Sequence, residues 1–169
     1  MKRDELRALQ APLKERYRED AGAARLTLRA DGELGAENIS CSVETGRALV
    51  EAGLHPASGG DGMLACSGDM LLQALVACAG VTLRSVAVNR GLEVGGRVIA
   101  EGDLDFRGTM GIDREAPVGF TAIRLGFELD SPASDEELDA LLETTERYCV
   151  VYQTLAGGVP LEVSRSTGR

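Results

Sequence analysis

The sequence predicts an α+β fold, with an antiparallel sheet covered by two packed helices. Three observations lead there. Short stretches on both sides of the chain's middle alternate apolar and polar residues with a period of two. Between them, from Met70 to Val88, the chain is apolar except at Gln73, Thr82, Arg84 and Ser85, the composition of a buried helix. Further on, Ser134-Asp-Glu-Glu137 forms a capping box that opens a second long helix.

Taken in order, residues 2–19 carry Leu6, Leu9, Leu13 and Tyr17 at helical spacing among charges and read as an amphipathic helix or arm. Residues 24–30, ARLTLRA, alternate as a half-buried strand that shows Arg25, Thr27 and Arg29 on its polar face. Asp31-Gly32 supplies a turn. Residues 39–44 alternate again with Ile39, Cys41 and Val43 inward, Thr45-Gly46 turns, and Arg47 to Ala52 form a third short strand. GLHPASGGDG at 53–62 is a loop. The central helix follows over 67–90, with Ser67 as its N-cap and Asp69 in the first turn, where a carboxylate suits the helix dipole. Its apolar run reads as too short and too interrupted to span a bilayer.

Two strands come next. One spans 98–106, with Val98, Ala100, Leu104 and Phe106 on one face, and the other spans 123–129, with a long hairpin loop between them. After the capping box, Leu138, Leu141, Leu142, Thr145 and Cys149 share one helical face. Gly157, Gly158 and Pro160 end the helical region, and Leu161–Ser164 can form a last strand. The organisation is an N-terminal helix or arm over 1–23 and one domain over 24–169.

Composition narrows the functions. The 169 residues are 44% hydrophobic and 27% charged, which is globular, and the formal net charge of -9 disfavours nucleic acid or an anionic membrane as partner. The start, MKRDELRALQ, has no signal-peptide core, so a cytoplasmic setting is expected. Four cysteines without a CxxC, and His55 as the one histidine, argue against both a disulfide framework and a zinc site. Cys41 reads as core, Cys66 precedes the central helix, and His55 reads as a solvated loop residue. Cys78 and Cys149 occupy core-facing helical positions. Each is either a small hydrophobe or a reagent. Their helices pack on one sheet face, so the fold can bring the two thiols together, and Thr82, Ser85 and Gln153 place polar groups one or two turns beyond them.

Asp69-Met-Leu-Leu-Gln-Ala-Leu-Val-Ala-Cys78 and Glu146-Arg-Tyr-Cys149-Val-Val-Tyr-Gln-Thr-Leu155, in this order of elements, resemble the two cysteine motifs of the OsmC/Ohr family. The resemblance covers about residues 24–164. It implies an intertwined homodimer of α+β fold that reduces small hydrophobic organic hydroperoxides without a cofactor, as part of an oxidative-stress response. By motif position Cys78 resembles the peroxidatic thiol, which becomes a sulfenic acid. Cys149 resembles the resolving thiol, which closes a disulfide that an external dithiol reductant reopens. The two are then expected within disulfide reach, with Cα atoms under about 7 Å apart in a closed form. A thiolate among apolar side chains needs a neighbouring charge. The family's arginine lies in the early strands, which points to Arg29 first and Arg47 second.

One position departs from the peroxidatic branches. Their glutamate ten residues before the first cysteine is Gly68 here, and the acid comes one place later as Asp69. Nine residues of helix turn Asp69 to the face opposite Cys78, so it would orient an arginine only across a dimer. The rival expectation is a ligand-binding protein that keeps the fold and an apolar pocket with little peroxidase activity.

Overall fold

A computed structural model describes residues 2–19, 32–34, 40–44 and 49–167, without the side chains at 9, 13, 16–18, 32–34 and 40–44. The strand expected over 24–30, Arg25, Arg29 and Arg47, the Thr45-Gly46 turn and the side chain of Cys41 lie outside the described residues.

The described elements are α1 (Arg3–Glu19), β1 (Gly32–Leu34), β2 (Ser40–Glu44), β3 (Leu49–Gly53), β4 (Ala65–Cys66), α2 (Ser67–Arg90), β5 (Gly95–Leu104), α3 (Phe106–Thr109), β6 (Phe120–Asp130), α4 (Asp135–Tyr148) and α5 (Val150–Gly157). The fold is α+β with antiparallel pairing, but the described strands form two sheets rather than one. β1, β2, β3 and β4 make the first and the β5–β6 hairpin the second. The last pair of the first sheet is parallel, Ala52 opposite Ala65 and Gly53 opposite Cys66. Gly32, expected in a turn, pairs with Val43 instead.

α2 is the element the others pack against: α1, α4, α5, β4 and β5 all touch it. It begins at Ser67 with Cys66 as N-cap and no side-chain capping bond, so Ser67 is its first helical residue and not the cap. Gly91 ends it at φ 75°, a conformation that costs an L side chain but not glycine. The Leu92 amide donates to the Ala87 carbonyl (2.9 Å) and the Gly91 amide to Val88 (3.2 Å), the double closure of a Schellman motif. By length and composition α2 could cross a membrane, which corrects the expectation of a run too short to do so. Its packing instead buries one stripe, Leu75, Ala79, Leu83 and Ala87. Leu83 and Ala87 join Val94 and Leu141 in the core, with Phe127, Leu129 and Leu138 packed around them. The opposite side of α2 stays open, with Val81 73% exposed.

β5 and β6 pair Val98 with Phe127 and Ala100 with Leu125, and the register shifts at Asp103/Leu104. β5 stops at Leu104. Phe106, expected on the strand, starts the short helical turn α3 because the Asp105 carboxylate caps the Arg107 amide at 3.0 Å. The capping box at Ser134 closes both ways, with the Glu137 carboxylate accepting from the Ser134 amide (2.9 Å) and the Ser134 hydroxyl from the Glu137 amide (3.3 Å). Residues 158–167 form no strand, and Leu161 and Val163 are 88% and 98% exposed.

Candidate functional site

The site lies where two helices meet a third. The spacing of Leu141, Thr145 and Cys149 predicts one helix running through the cysteine. The chain breaks there instead. Cys149 adopts φ -73°, ψ 108°, an extended residue that ends α4 and begins α5. Its amide still closes the last turn of α4 on the Thr145 carbonyl (2.9 Å), and its carbonyl accepts the Gln153 amide of the next helix (2.9 Å). The Gln153 side-chain amide bridges the break by donating to the Glu146 carbonyl at 2.9 Å, one of the carbonyls a helix end leaves unpaired. Thr145 is buried and folds its hydroxyl back onto the Leu141 carbonyl (2.8 Å), so no polar group is stranded beneath the break.

The break resets where the first amides of α5 point. Cys149 makes no side-chain cap on α5, and the amides of Val150 and Val151 meet the sulfur of Cys78 on α2. Burial pushes the Cys78 thiol up. The Val151 amide, the Cys149 thiol, the Val150 amide and the Thr82 hydroxyl together outweigh it and hold Cys78 below the ordinary thiol value. The charge that stabilises this thiolate is thus partly the positive end of a helix. Thr82 sits one turn beyond Cys78 and also donates to the Cys78 carbonyl at 2.8 Å. Its one proton serves the carbonyl or the sulfur, not both at once.

Cys149 is completely buried and Cys78 half-buried, and both are free thiols. Burial first, then the hydrogen bond to Cys78 and its charge, hold the Cys149 thiol above its ordinary value. The two thiols are thus set apart, Cys78 as the more acidic and Cys149 as the less acidic. When one proton leaves the pair it comes from Cys78, and Cys149 remains the hydrogen-bond donor. A half-buried nucleophile next to a buried thiol is the arrangement in which a sulfenic acid, once formed, has a second sulfur at hand.

The other expected residues fall elsewhere. Asp69 is exposed and lines a groove with Leu72, Gln73, Val76, Ala77 and Ala100, on the far face of α2 from Cys78. A Cβ at Gly68 would stand 3.5 Å from the Phe120 ring, 3.6 Å from the Cys66 sulfur and 3.9 Å from Leu104, an apolar wall rather than a place for a carboxylate. His55 is not merely solvated. Its Nδ1 accepts the Ala57 amide at 3.0 Å, capping the turn over Pro56–Ser58, and its ring stacks on Phe106 with centroids 5.1 Å apart. Among the described residues no cluster of His, Cys, Asp and Glu could hold a metal ion. Sequence reasoning missed the amides of Val150 and Val151, because a backbone donor leaves no mark in the residue pattern. It also missed a groove of about 610 Å³ between α1, α2 and α4 that reaches Thr82.

Comparison with known proteins agrees with this architecture. Residues 60–164 match the sequence profile of the family described as OsmC-like protein. Solved structures with the same fold include an OsmC-like protein from Mycoplasma pneumoniae at 19% identity and TM-score 0.65, covering 79% of this chain and 89% of that one. An organic hydroperoxide resistance protein from Elizabethkingia anophelis matches at 18% identity and TM-score 0.59, covering 79% and 91%. Another organic hydroperoxide resistance protein, from Legionella pneumophila, matches at 18% identity and TM-score 0.56, covering 78% and 90%. No curated protein sequence matches the chain.

Proposed function

Starting from the fact that the chain belongs to the OsmC-like family, we propose that it is a cysteine-based peroxidase that reduces organic hydroperoxides. The observation that carries the reading is the pair of free thiols at the break between α4 and α5, where buried Cys149 is hydrogen-bonded to Cys78 beside the first amides of α5. In the first step the Cys78 thiolate attacks the outer oxygen of the hydroperoxide. The S–O bond forms, the O–O bond breaks, and the alkoxide leaves with a proton taken from the Cys149 thiol. The Cys149 thiolate then attacks the sulfur of the Cys78 sulfenic acid. The disulfide forms, and hydroxide departs and takes a proton from solvent as water. Two electrons have passed from the thiol pair to the peroxide, and an external dithiol returns them by exchange. The chain's own groups hold the thiolate, and no cofactor or metal is needed. A reducing compartment such as the cytoplasm would supply the dithiol.

The working unit is proposed to be a homodimer. The open side of α2, with Leu71 and Val81 exposed, and the nearly bare Leu161 and Val163 are supports, since apolar surface of this extent calls for a cover. Light scattering at micromolar concentration is expected to give twice the 17.8 kDa chain mass. A stable monomer would contradict this.

The rival, a ligand-binding member of the fold, has one observation in its favour: the apolar wall at Gly68 with Asp69 turned away from Cys78. Consumption of cumene hydroperoxide by the purified protein with excess dithiothreitol decides between them. Catalytic loss of peroxide is the expected result. Loss of no more than one equivalent per thiol pair would leave only the binding protein.

A further inference from the structure

α5 is a helix of eight residues, and none of them is fully buried. A helix that short is marginal by itself. It packs on α2 and α4 without a deeply seated side chain, so its direction depends on how its start is fastened. Two side chains near that start reach back across the break at Cys149 to one residue in the last turn of α4. The Gln153 Nε2 donates to the Glu146 carbonyl at 2.9 Å, and the Tyr152 hydroxyl donates to the Glu146 carboxylate at 3.4 Å. The glutamine makes the shorter bond, and its own backbone amide donates to the Cys149 carbonyl at 2.9 Å. One residue of α5 is therefore bonded both to the residue at the break and to the helix before it. Glu146 and Gln153 are exposed, and water can serve a carbonyl at an exposed helix end. The Glu146 carbonyl does not need the glutamine. What the bond adds is a fixed angle between α4 and α5, the angle at which the Val150 and Val151 amides meet the Cys78 sulfur.

We propose that Gln153 is a positioning residue: by tying the start of α5 to the last turn of α4, it keeps the Val150 and Val151 amides on the Cys78 sulfur. Resting on the peroxidase reading, it supports the attack on the hydroperoxide through those two amides, since a donor moved off the sulfur no longer stabilises its charge. The same tie fixes the backbone of Cys149, which accepts the Gln153 amide, and so holds the second thiol in place.

Two substitutions and two readouts test this. Gln153→Met keeps the length of the side chain and removes its donor, and Gln153→Lys restores a donor of similar reach. The three residues have nearly equal helix propensities and position 153 is exposed, so both variants are expected to fold, which circular dichroism and thermal melting check. The first readout is the pH half-point of iodoacetamide alkylation, followed by mass on the peptide containing Cys78. It is taken in about 1 M NaCl, where the lysine charge is screened beyond about 3 Å. In Gln153→Met the half-point is expected to rise by about half a pH unit, less than an amide deleted outright would give, and in Gln153→Lys to return toward the wild-type value. An unchanged half-point in Gln153→Met, with or without a lower melting temperature, would make the bond a structural tie only and overturn the proposal. The second readout is steady-state turnover of cumene hydroperoxide with dithiothreitol below the half-point. There half a unit is about a threefold loss of thiolate, so kcat/KM in Gln153→Met is expected to fall about threefold and to recover in Gln153→Lys. If the half-point shifts as expected and the wild type shows no turnover, the peroxidase reading falls and the positioning role stands. If the wild type turns over and Gln153→Met leaves both readouts unchanged, the positioning role falls and the peroxidase stands.

Discussion

Replacing Cys78 by serine is expected to abolish hydroperoxide turnover, while replacing Cys149 by serine leaves a single reduction event. A serine hydroxyl is not ionised near neutrality, so Cys78→Ser lowers kcat/KM by roughly a thousandfold or more, as the loss of a nucleophile does. In Cys149→Ser the thiolate of Cys78 still meets the Val150 and Val151 amides, so the first attack proceeds. No thiol then waits beside the sulfenic acid. It persists, and excess peroxide carries it to the sulfinic acid, seen by intact-protein mass as one and then two added oxygens on the peptide containing Cys78. Both changes are nearly isosteric, and the completely buried Cys149 is the one whose folding should be verified by circular dichroism. Normal turnover in Cys78→Ser would remove this thiol from the chemistry altogether.

The second large effect is expected from a substitution that alters no functional side chain. Val150→Pro deletes one of the two amides that face the Cys78 sulfur. It occupies the first position of α5, where proline suits a helix, and Cys149 before it already has the extended backbone that a following proline requires. The Val150 side chain is 71% exposed, so little packing is lost. Donors to a thiolate lower its pKa, and removing one raises it. The half-point of Cys78 alkylation by iodoacetamide, below the ordinary thiol value near 8.5 in the wild type, is expected to move up by about one pH unit. Peroxide reactivity below the half-point is expected to fall with the lost thiolate. An unchanged half-point would put the activating charge elsewhere. Arg29 and Arg47, the candidates the early strands offer, would be the next substitutions.

The sequence alone determined a good deal. The extent of α2, though not its cap, and the closed capping box at Ser134 follow from local patterns, because apolar periodicity and a Ser-x-x-Glu spacing act over a single turn of chain. The inward direction of Cys149 is legible for the same reason, since Leu141, Thr145 and Cys149 fall four residues apart. That regularity hides the break at Cys149, where one ψ of 108° instead of a helical value divides a continuous pattern into two helices. β4 escaped notice because two residues are too few to alternate, and the C-terminal alternation at Leu161 and Val163 finds no partner strand within the described chain. The Phe106 turn was decided by the Asp105 cap rather than by its place in an apolar series. Only the tertiary structure decided what lies around Cys78. The thiol is held by amides of Val150 and Val151, and every residue but proline carries an amide. Which amides are left unpaired, and which sulfur they meet, depends on the path of the backbone and not on the identity of any side chain.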